Sequence, residues 1–220
     1  MRMYHPIYLK LLREDCDKYN IHLIADEIAV GFGRTGTMFA YEQSKITPDI
    51  ICLSKGITGG YMTLSTILTT NNIYDAFYDE YTKLNAFLHS HSYTANPIAC
   101  SAANASLDIF EKKQIITKNK ILSEHISKSL KSIATHDNVG DVRQHGMIAA
   151  IEMVKDKSSK KPYPWEERRG LKAYEYGLKN NVLIRPLGNV IYFMPPYIIK
   201  EREIDKVINV IEGAIDIATK

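Results

Sequence analysis

An acidic residue and a lysine each follow a short apolar run in the first quarter of this 220-residue chain. Residues 21–25 lead into Asp26, and residues 50–53 lead into Ser54 and Lys55. Each run predicts a short buried strand, and open α/β sheets bind ligands outside the carboxyl ends of their strands. An amine can form a Schiff base with the aldehyde of pyridoxal phosphate, and an acid can keep its pyridine nitrogen protonated. The pair is therefore suited to that cofactor.

Other interpretations of this region remain open, because charges at strand ends often simply face water. The segment Gly31–Gly36 matches the dinucleotide pattern G-x-G-x-x-G, which should follow a strand directly and open a full helix. Here the strand ends five or more residues earlier, and the next helical run stops before Pro48, so nucleotide binding is not favoured. Residues 23–27 also resemble the acid-bearing strand of an ATPase. The sequence lacks the phosphate loop that this rival class requires.

Composition and charge narrow the class of protein. A hydrophobic content of 45% and a charged content of 24% are typical of a globular protein. The net charge of +3 comes without a basic block, so we expect no nucleic-acid partner. No apolar run approaches the roughly 20 residues that span a bilayer, so we expect no membrane partner. Cys16, Cys52 and Cys100 lack disulfide or metal-ligand spacing, which predicts no metal site and fits a reducing cytoplasm.

The hydrophobic pattern alternates between helix and strand periods, which predicts an α/β fold. Helices are predicted at residues 6–19, 38–44, 71–80, 97–110, 114–135, 165–179 and 204–217. Strands are predicted at residues 21–25, 50–53, 62–70, within 142–153, and at 182–184 and 190–193. The composition then indicates a boundary near residue 113, which gives one domain at 1–112 and a smaller one at 113–220.

Three motifs occur in order along the chain: Asp26–Gly36, Ser54–Tyr61 and Ser90–Cys100. Together they resemble the class III aminotransferases of the fold type I superfamily that depends on pyridoxal 5'-phosphate. Residues 53–70, 102–107 and 184–197 are similar to the biotin-synthesis branch of that family. The resemblance covers essentially the whole chain. It implies the C-terminal part of the large cofactor-binding domain, followed by the small C-terminal domain.

The resemblance also implies a role for five residues. Lys55 would form the Schiff base and move the substrate proton, and Asp26 would pair with the pyridinium nitrogen. Thr94 would reach the phosphate of the cofactor in a partner subunit, which implies a homodimer. Arg185, expected just after a strand, would bind the carboxylate of the amino acceptor. Tyr192 would line the same pocket, although a core tyrosine with one satisfied hydroxyl explains it equally well.

The implied reaction moves the amino group of S-adenosyl-L-methionine to 8-amino-7-oxononanoate, which gives 7,8-diaminononanoate. Another class III aminotransferase, acting on an ω-amino acid or diamine, is the alternative enzyme. The non-enzymatic alternative is that the chain is an inactive piece that pairs with an intact subunit.

Some family features have no assigned counterpart in this chain. The resemblance implies a glycine among the substrate contacts, numbered 88 as the family would have it, and its equivalent in this chain is unknown. Ala95 stands where relatives usually carry glycine. Family members are also about twice this length. The other half would hold the glycine/serine turn for the phosphate and the ring that stacks on the pyridine.

Overall fold

A computed structural model describes residues 1–89 and 91–220 of the chain. Ser90, the first residue of the third motif, lies outside the described residues. The chain divides into an N-terminal unit, Tyr4–Ile116, and a C-terminal unit, Thr117–Lys220, which also takes in the first three residues. The assignment of a large and a small domain on either side of residue 113 stays a prediction.

The N-terminal unit is built on a three-stranded sheet with the order β1-β2-β3. Its elements are α1 (Pro6–Lys18), β1 (Ile24–Asp26), β2 (Ile50–Leu53), β3 (Thr66–Thr69), α2 (Asn71–Asp75) and α3 (Pro97–Lys113). Strands β1 and β2 are parallel, and β3 runs antiparallel to β2. Helix α1 starts where expected, because Pro6 suits a first helical position and His5 accepts the backbone N–H of Ile7 at 3.2 Å.

Three predictions for this unit need correction. The first strand is not buried, since the Ile24 side chain is 58% exposed on a strand that pairs, within the described residues, with β2 alone. The helix predicted at 71–80 ends at Asp75, and the Asp79 carboxylate accepts the backbone N–H of Glu80 at 2.8 Å, which competes with helical hydrogen bonding. The helix predicted at 38–44 is a 3₁₀ helix at Ala40–Ser44.

The C-terminal unit is an antiparallel sheet covered by helices, with the order β4-β5-β8-β7 and β6 paired to β5. Its elements are α4 (Ile115–Thr135, which starts in the N-terminal unit), β4 (Val139–His145), β5 (Ile148–Asp156), β6 (Lys161–Pro162), α5 (Arg169–Lys179), β7 (Arg185–Leu187), β8 (Val190–Phe193) and α6 (Glu201–Thr219). Ile126, Ile151, Ile191 and Ile211 are fully buried in one cluster. No helix of the described chain is long and apolar enough to cross a membrane.

Two predictions for the C-terminal unit were wrong at element boundaries. The strand predicted at 182–184 is not a strand, and β7 starts at Arg185. Val182 and Ile184 are instead buried, and the backbone N–H of Val182 donates to the carbonyl of Gly177 at 2.9 Å, so this segment closes helix α5. The helix predicted from residue 165 begins as a separate 3₁₀ turn and becomes α5 only after Arg168, which has a φ of 48°.

Asp49 fastens α1 to the start of the sheet. Its carboxylate accepts the Arg13 guanidinium at 2.6 Å and the backbone N–H of Leu23 at 2.7 Å. Arg13 also contacts Asp17 at 2.7 Å, but that carboxylate is far more exposed. The hydrogen bond from Arg13, followed by the one from Leu23, lowers the pKa of Asp49. The stabilisation from Asp49 is therefore present above the ordinary aspartate pKa and is lost as the pH falls through the lowered pKa.

We expect Asp49→Asn to destabilise the N-terminal unit by about 1–2 kcal/mol at pH 7, because charge-assisted hydrogen bonds are replaced by neutral ones. The loss should shrink as the pH falls below about 4, the ordinary aspartate pKa at which the unfolded state takes up a proton, and should vanish below the lowered pKa of folded Asp49. Thermal unfolding from pH 3 to pH 7 measures this. Asp17→Asn is the matched control and should change stability by less than about 0.5 kcal/mol. Equal effects of the two substitutions would contradict the role of Asp49.

Candidate active site

The ends of two parallel strands place an acid and an amine at one edge of the N-terminal sheet. Asp26 is the last residue of β1 and lies opposite Cys52 on β2, and Lys55 follows three residues later. Both side chains are exposed. The Asp26 carboxylate accepts the backbone N–H of Ile28 at 3.0 Å, which orients it at the strand end. The sequence predicted this shared edge, and the roles of the two residues stay predictions.

The turn that carries Lys55 is held on both sides. The Ser54 hydroxyl donates to the carbonyl of Leu64 at 2.8 Å, and the Ser106 hydroxyl of α3 donates to the carbonyl of Gly56 at 3.4 Å. A Cβ on Gly56 would lie 2.8 Å from the ring of Phe32, so only glycine allows this approach. Lys55 itself has a φ of 41°, a left-handed conformation that costs a side-chain-bearing residue about 1–2 kcal/mol. The lysine is thus exposed on a fixed, strained backbone.

The glycine-rich loop supports this turn from behind. The backbone N–H of Gly31 donates to the carbonyl of Glu27 at 2.9 Å, and Phe32 is buried. The buried Glu27 carboxylate accepts the backbone N–H groups of Ala40 and Tyr41 at 3.0 and 2.9 Å. Burial raises the pKa of Glu27, and these two hydrogen bonds oppose the rise. Glu27 caps the 3₁₀ helix, and the loop brings Phe32 into the local core.

Thr94 lies in an exposed turn just before α3. Its hydroxyl oxygen accepts the backbone N–H of His91 at 3.2 Å. Ala95 has a φ of 56°, and Asn96 caps α3 by accepting the backbone N–H of Ile98 at 3.0 Å. A hydroxyl beside a helix N-terminus suits a phosphate, since the helix presents unpaired N–H groups there. The contacts made by Thr94 in this structure lie within its own turn.

Arg185 and Tyr192 face each other in the C-terminal unit. They pair across β7 and β8, and the Arg185 guanidinium carbon lies 5.7 Å from the centre of the Tyr192 ring. Arg185 is exposed and Tyr192 is partly buried. The two were predicted to share a pocket, and the structure places them in contact. The five predicted residues therefore fall into two groups, with Asp26, Lys55 and Thr94 in the N-terminal unit.

Position 88 does not supply the substrate-binding glycine of the family, because residue 88 of this chain is a leucine. Leu88 is 93% exposed and lies outside any helix or strand. A glycine lets a ligand approach the backbone closely because it has no Cβ, whereas the branched side chain of leucine covers its own backbone. Leu88 therefore cannot take the role of that glycine, and we assign it no contact with the substrate.

The sequence analysis missed the turn that joins β7 to β8. Gly188 and Asn189 separate the two strands, and Gly-Asn between strand-like runs is a hairpin signal. The strand predicted at 182–184 placed Arg185 after a strand, whereas Arg185 is the first residue of β7.

The sheet edge in the N-terminal unit fits pyridoxal 5'-phosphate. An exposed amine on a fixed turn and an oriented carboxylate supply the two groups that hold the cofactor ring. The turn continues into Gly59 and Gly60, whose φ values are 61° and 87°, and a Cβ on Gly60 would meet no atom within 4 Å. A ligand could therefore approach this backbone closely. The described residues contain no cluster of three metal-binding side chains.

The model of the aminotransferase class-III family matches residues 1–215. The chain belongs to this family. Two relatives called adenosylmethionine-8-amino-7-oxononanoate aminotransferase, from Geobacter sulfurreducens and Helicobacter pylori, are 48% and 50% identical over 214 and 212 residues. These matches cover 96% and 94% of this chain, but the chain spans only 47% of each relative.

Solved structures of two aminotransferases have the same fold. The enzyme called adenosylmethionine-8-amino-7-oxononanoate aminotransferase from Methanocaldococcus jannaschii superposes with a TM-score of 0.91 at 40% identity, over 95% of this chain and 49% of that one. An (S)-enantioselective ω-transaminase from Thermomicrobium roseum gives 0.88 at 31% identity, over 95% and 46%. The predicted fold type I class is confirmed, and the cofactor of the family is pyridoxal 5'-phosphate.

The strain at Lys55 predicts a stability difference between two substitutions. Lys55→Gly should be more stable than Lys55→Ala by about 1 kcal/mol, because glycine adopts a positive φ without a penalty. The same comparison at Lys10, an exposed residue inside α1, should have the opposite sign, because glycine costs about 1 kcal/mol relative to alanine in a helix. Thermal unfolding without cofactor measures both pairs. Greater stability of Lys55→Ala would contradict the left-handed conformation.

Proposed function

We propose that this chain is a pyridoxal-phosphate-dependent aminotransferase that moves the amino group of S-adenosyl-L-methionine to 8-amino-7-oxononanoate. Sequence identity supports the choice of substrates. The chain is 48–50% identical to two enzymes named for this acceptor, but 31% identical to an ω-transaminase of nearly the same fold. Since the TM-scores of 0.91 and 0.88 barely differ, the fold does not separate the two functions. An ω-amino acid or diamine aminotransferase is the second candidate.

Lys55 and Asp26 would hold the cofactor. When bound, pyridoxal 5'-phosphate supplies an electron sink for breaking the C–H bond beside a substrate amine. The Lys55 Nζ would bind the cofactor covalently and, once displaced by the incoming amine, would accept and return the substrate proton. The Asp26 carboxylate would keep a proton on the ring nitrogen that faces it. The fixed turn around Lys55 limits how far its amine can move between these tasks.

Arg185 would anchor the acceptor. The guanidinium forms a planar fork that matches a carboxylate with two parallel hydrogen bonds. Its place above the Tyr192 ring restricts its orientation, and a guanidinium is attracted to an aromatic face. 8-Amino-7-oxononanoate carries its carboxylate at the end of an alkyl chain, far from the carbon that accepts the amine. Arg185 is therefore assigned to binding and Tyr192 to supporting it.

We also propose a homodimer in which Thr94 of one copy contacts the cofactor phosphate of the other. Aromatic side chains before Thr94 are strongly exposed, and such clusters commonly mark protein interfaces. The exposed fractions are 72% for Tyr78, 91% for Tyr81, 68% for Phe87 and 76% for Tyr93. A second copy is the partner we propose for this surface. The inactive piece that pairs with an intact subunit would use the same surface.

The cytoplasm is the proposed location. Cys16, Cys52 and Cys100 are free thiols, and none pairs with another in the described structure. Free thiols persist where the environment is reducing, whereas paired cysteines are typical of secreted proteins.

The cofactor assignment predicts a covalent bond to Lys55. The chain mixed with pyridoxal 5'-phosphate should show a visible absorption band that borohydride removes while fixing the cofactor to the protein. Mass spectrometry of the digest should then find the label on Lys55. Lys55→Ala should lose both signals, whereas Lys45→Ala should keep them, since Lys45 is another left-handed lysine of the same unit. No band with the wild type would favour the inactive-piece alternative.

The substrate assignment predicts a donor preference. With 8-amino-7-oxononanoate as acceptor, 7,8-diaminononanoate should form with S-adenosyl-L-methionine and should be at least about tenfold slower with ω-amino acids or diamines, a difference of about 1.4 kcal/mol. Product analysis by mass spectrometry measures this, and Lys55→Ala provides the blank. Faster product formation with a diamine would favour the second candidate function.

A further inference from the structure

Residues outside β7 and β8 contact the turn of the hairpin that carries Arg185. Gly188, in the turn between β7 and β8, has a φ of 62°, and a Cβ there would overlap the ring of Trp165. The indole therefore lies directly on the turn backbone. Trp165 is the only tryptophan of the sequence and is 71% exposed, so its ring covers the turn without being part of the core.

Helix α5 holds the same turn from its first residues. A Cβ on Gly170 would overlap the carbonyl oxygen of Gly188 and would lie 2.6 Å from the Pro186 Cβ. Pro186 is the direct neighbour of Arg185 on β7. Arg168, which is left-handed and directly precedes α5, connects Gly170 to Trp165 along the chain. Its backbone N–H donates to the carbonyl of Trp165 at 3.1 Å. The indole and the start of α5 therefore act on the turn as one support.

The other side of the turn is tied to the sheet. The Asn189 amide donates to the carbonyl of Tyr163 at 2.8 Å, and the backbone N–H of Met153 donates to the carbonyl of Asn189 at 2.9 Å. Met153 lies on β5 and is fully buried. Between these supports is a cavity of about 330 Å³, bordered by Trp165, Gly170 and Pro186 among others. On the Asn189 side the turn is therefore fixed by hydrogen bonds to the sheet. On the Trp165 side it borders the cavity.

We propose that Trp165 is a positioning residue for Arg185. The indole covers the Gly188 Cα while Gly170 lies against the Gly188 carbonyl and Pro186, and the β7 backbone carries these constraints to the neighbouring Arg185. An exposed side chain beside a cavity adds little to the stability of the unit, so its effect should fall on the geometry of the hairpin. The inference rests on the proposed function, in which Arg185 binds the acceptor carboxylate. Trp165 would contribute to acceptor specificity without contacting the acceptor.

The test compares a charged and an uncharged form of the acceptor. Isothermal titration calorimetry of the cofactor-loaded chain measures the affinity for 8-amino-7-oxononanoate and for its methyl ester, which lacks the negative charge. We expect Trp165→Ala to lower the ratio of acid to ester affinity by about tenfold. Trp165→Phe keeps a ring on the turn and should restore most of the ratio. Leu178→Ala, which removes an exposed apolar side chain from α5, should leave it unchanged.

Arg185→Ala separates this inference from the proposed function. If Arg185→Ala abolishes the preference for the acid but Trp165→Ala does not change it, the positioning role is overturned and the proposed function stands. If the wild type shows no preference, or Arg185→Ala leaves it unchanged, the carboxylate role of Arg185 fails and the inference fails with it. Thermal unfolding of Trp165→Ala and Leu178→Ala should give similar midpoints, whereas a large drop for Trp165→Ala alone would indicate a structural role and overturn the proposal.

Discussion

The parallel pairing of β1 with β2 is the constraint on which the candidate site depends. Parallel strands end at the same edge of a sheet, so Asp26 and Lys55 lie at one edge although 28 residues separate them in sequence. An antiparallel pairing would place them at opposite edges. The register is fixed at the start of the strands, where Leu23 accepts the backbone N–H groups of Asp49 and Ile50 and donates its own to the Asp49 carboxylate.

Much of this arrangement could be predicted because its signals are local. A short apolar run predicts a strand, and a charged residue directly after it is expected at the carboxyl end of that strand. These two signals were enough to place Asp26 and Lys55 at one edge of the sheet. Helix α3 was equally readable, since Asn96 and Pro97 are a cap and a first-turn residue. Its predicted start at residue 97 was confirmed, whereas its end extended three residues further, to Lys113. Helix ends depend on tertiary packing more than on caps alone.

The features that the sequence did not reveal are contacts between distant residues. Nothing local shows that the Glu27 carboxylate caps the 3₁₀ helix at Ala40–Ser44, or that Phe32 fills the space beneath Gly56. The left-handed conformation of Lys55 is another example, because lysine carries no preference for it. The surrounding hydrogen bonds impose that conformation. Strain of this kind is commonly found at functional positions, where the rest of the structure overrides local preference.

The two groups of site residues differ in the kind of support they receive. The turn of Lys55 is held by the hydrogen bonds of Ser54 and Ser106 and by the buried Phe32 ring against Gly56, and such rigid support is what the proposed proton transfer would require. Arg185 lies on a two-stranded hairpin whose turn is covered by one exposed indole and bordered by a cavity. Since ω-transaminases share the fold, differences in substrate choice must come from side chains and their supports rather than from the framework. In the proposed function, a change in the supports of the β7–β8 turn would alter how Arg185 presents its guanidinium, whereas Asp26 and Lys55 lie on or beside the strands of a separate sheet.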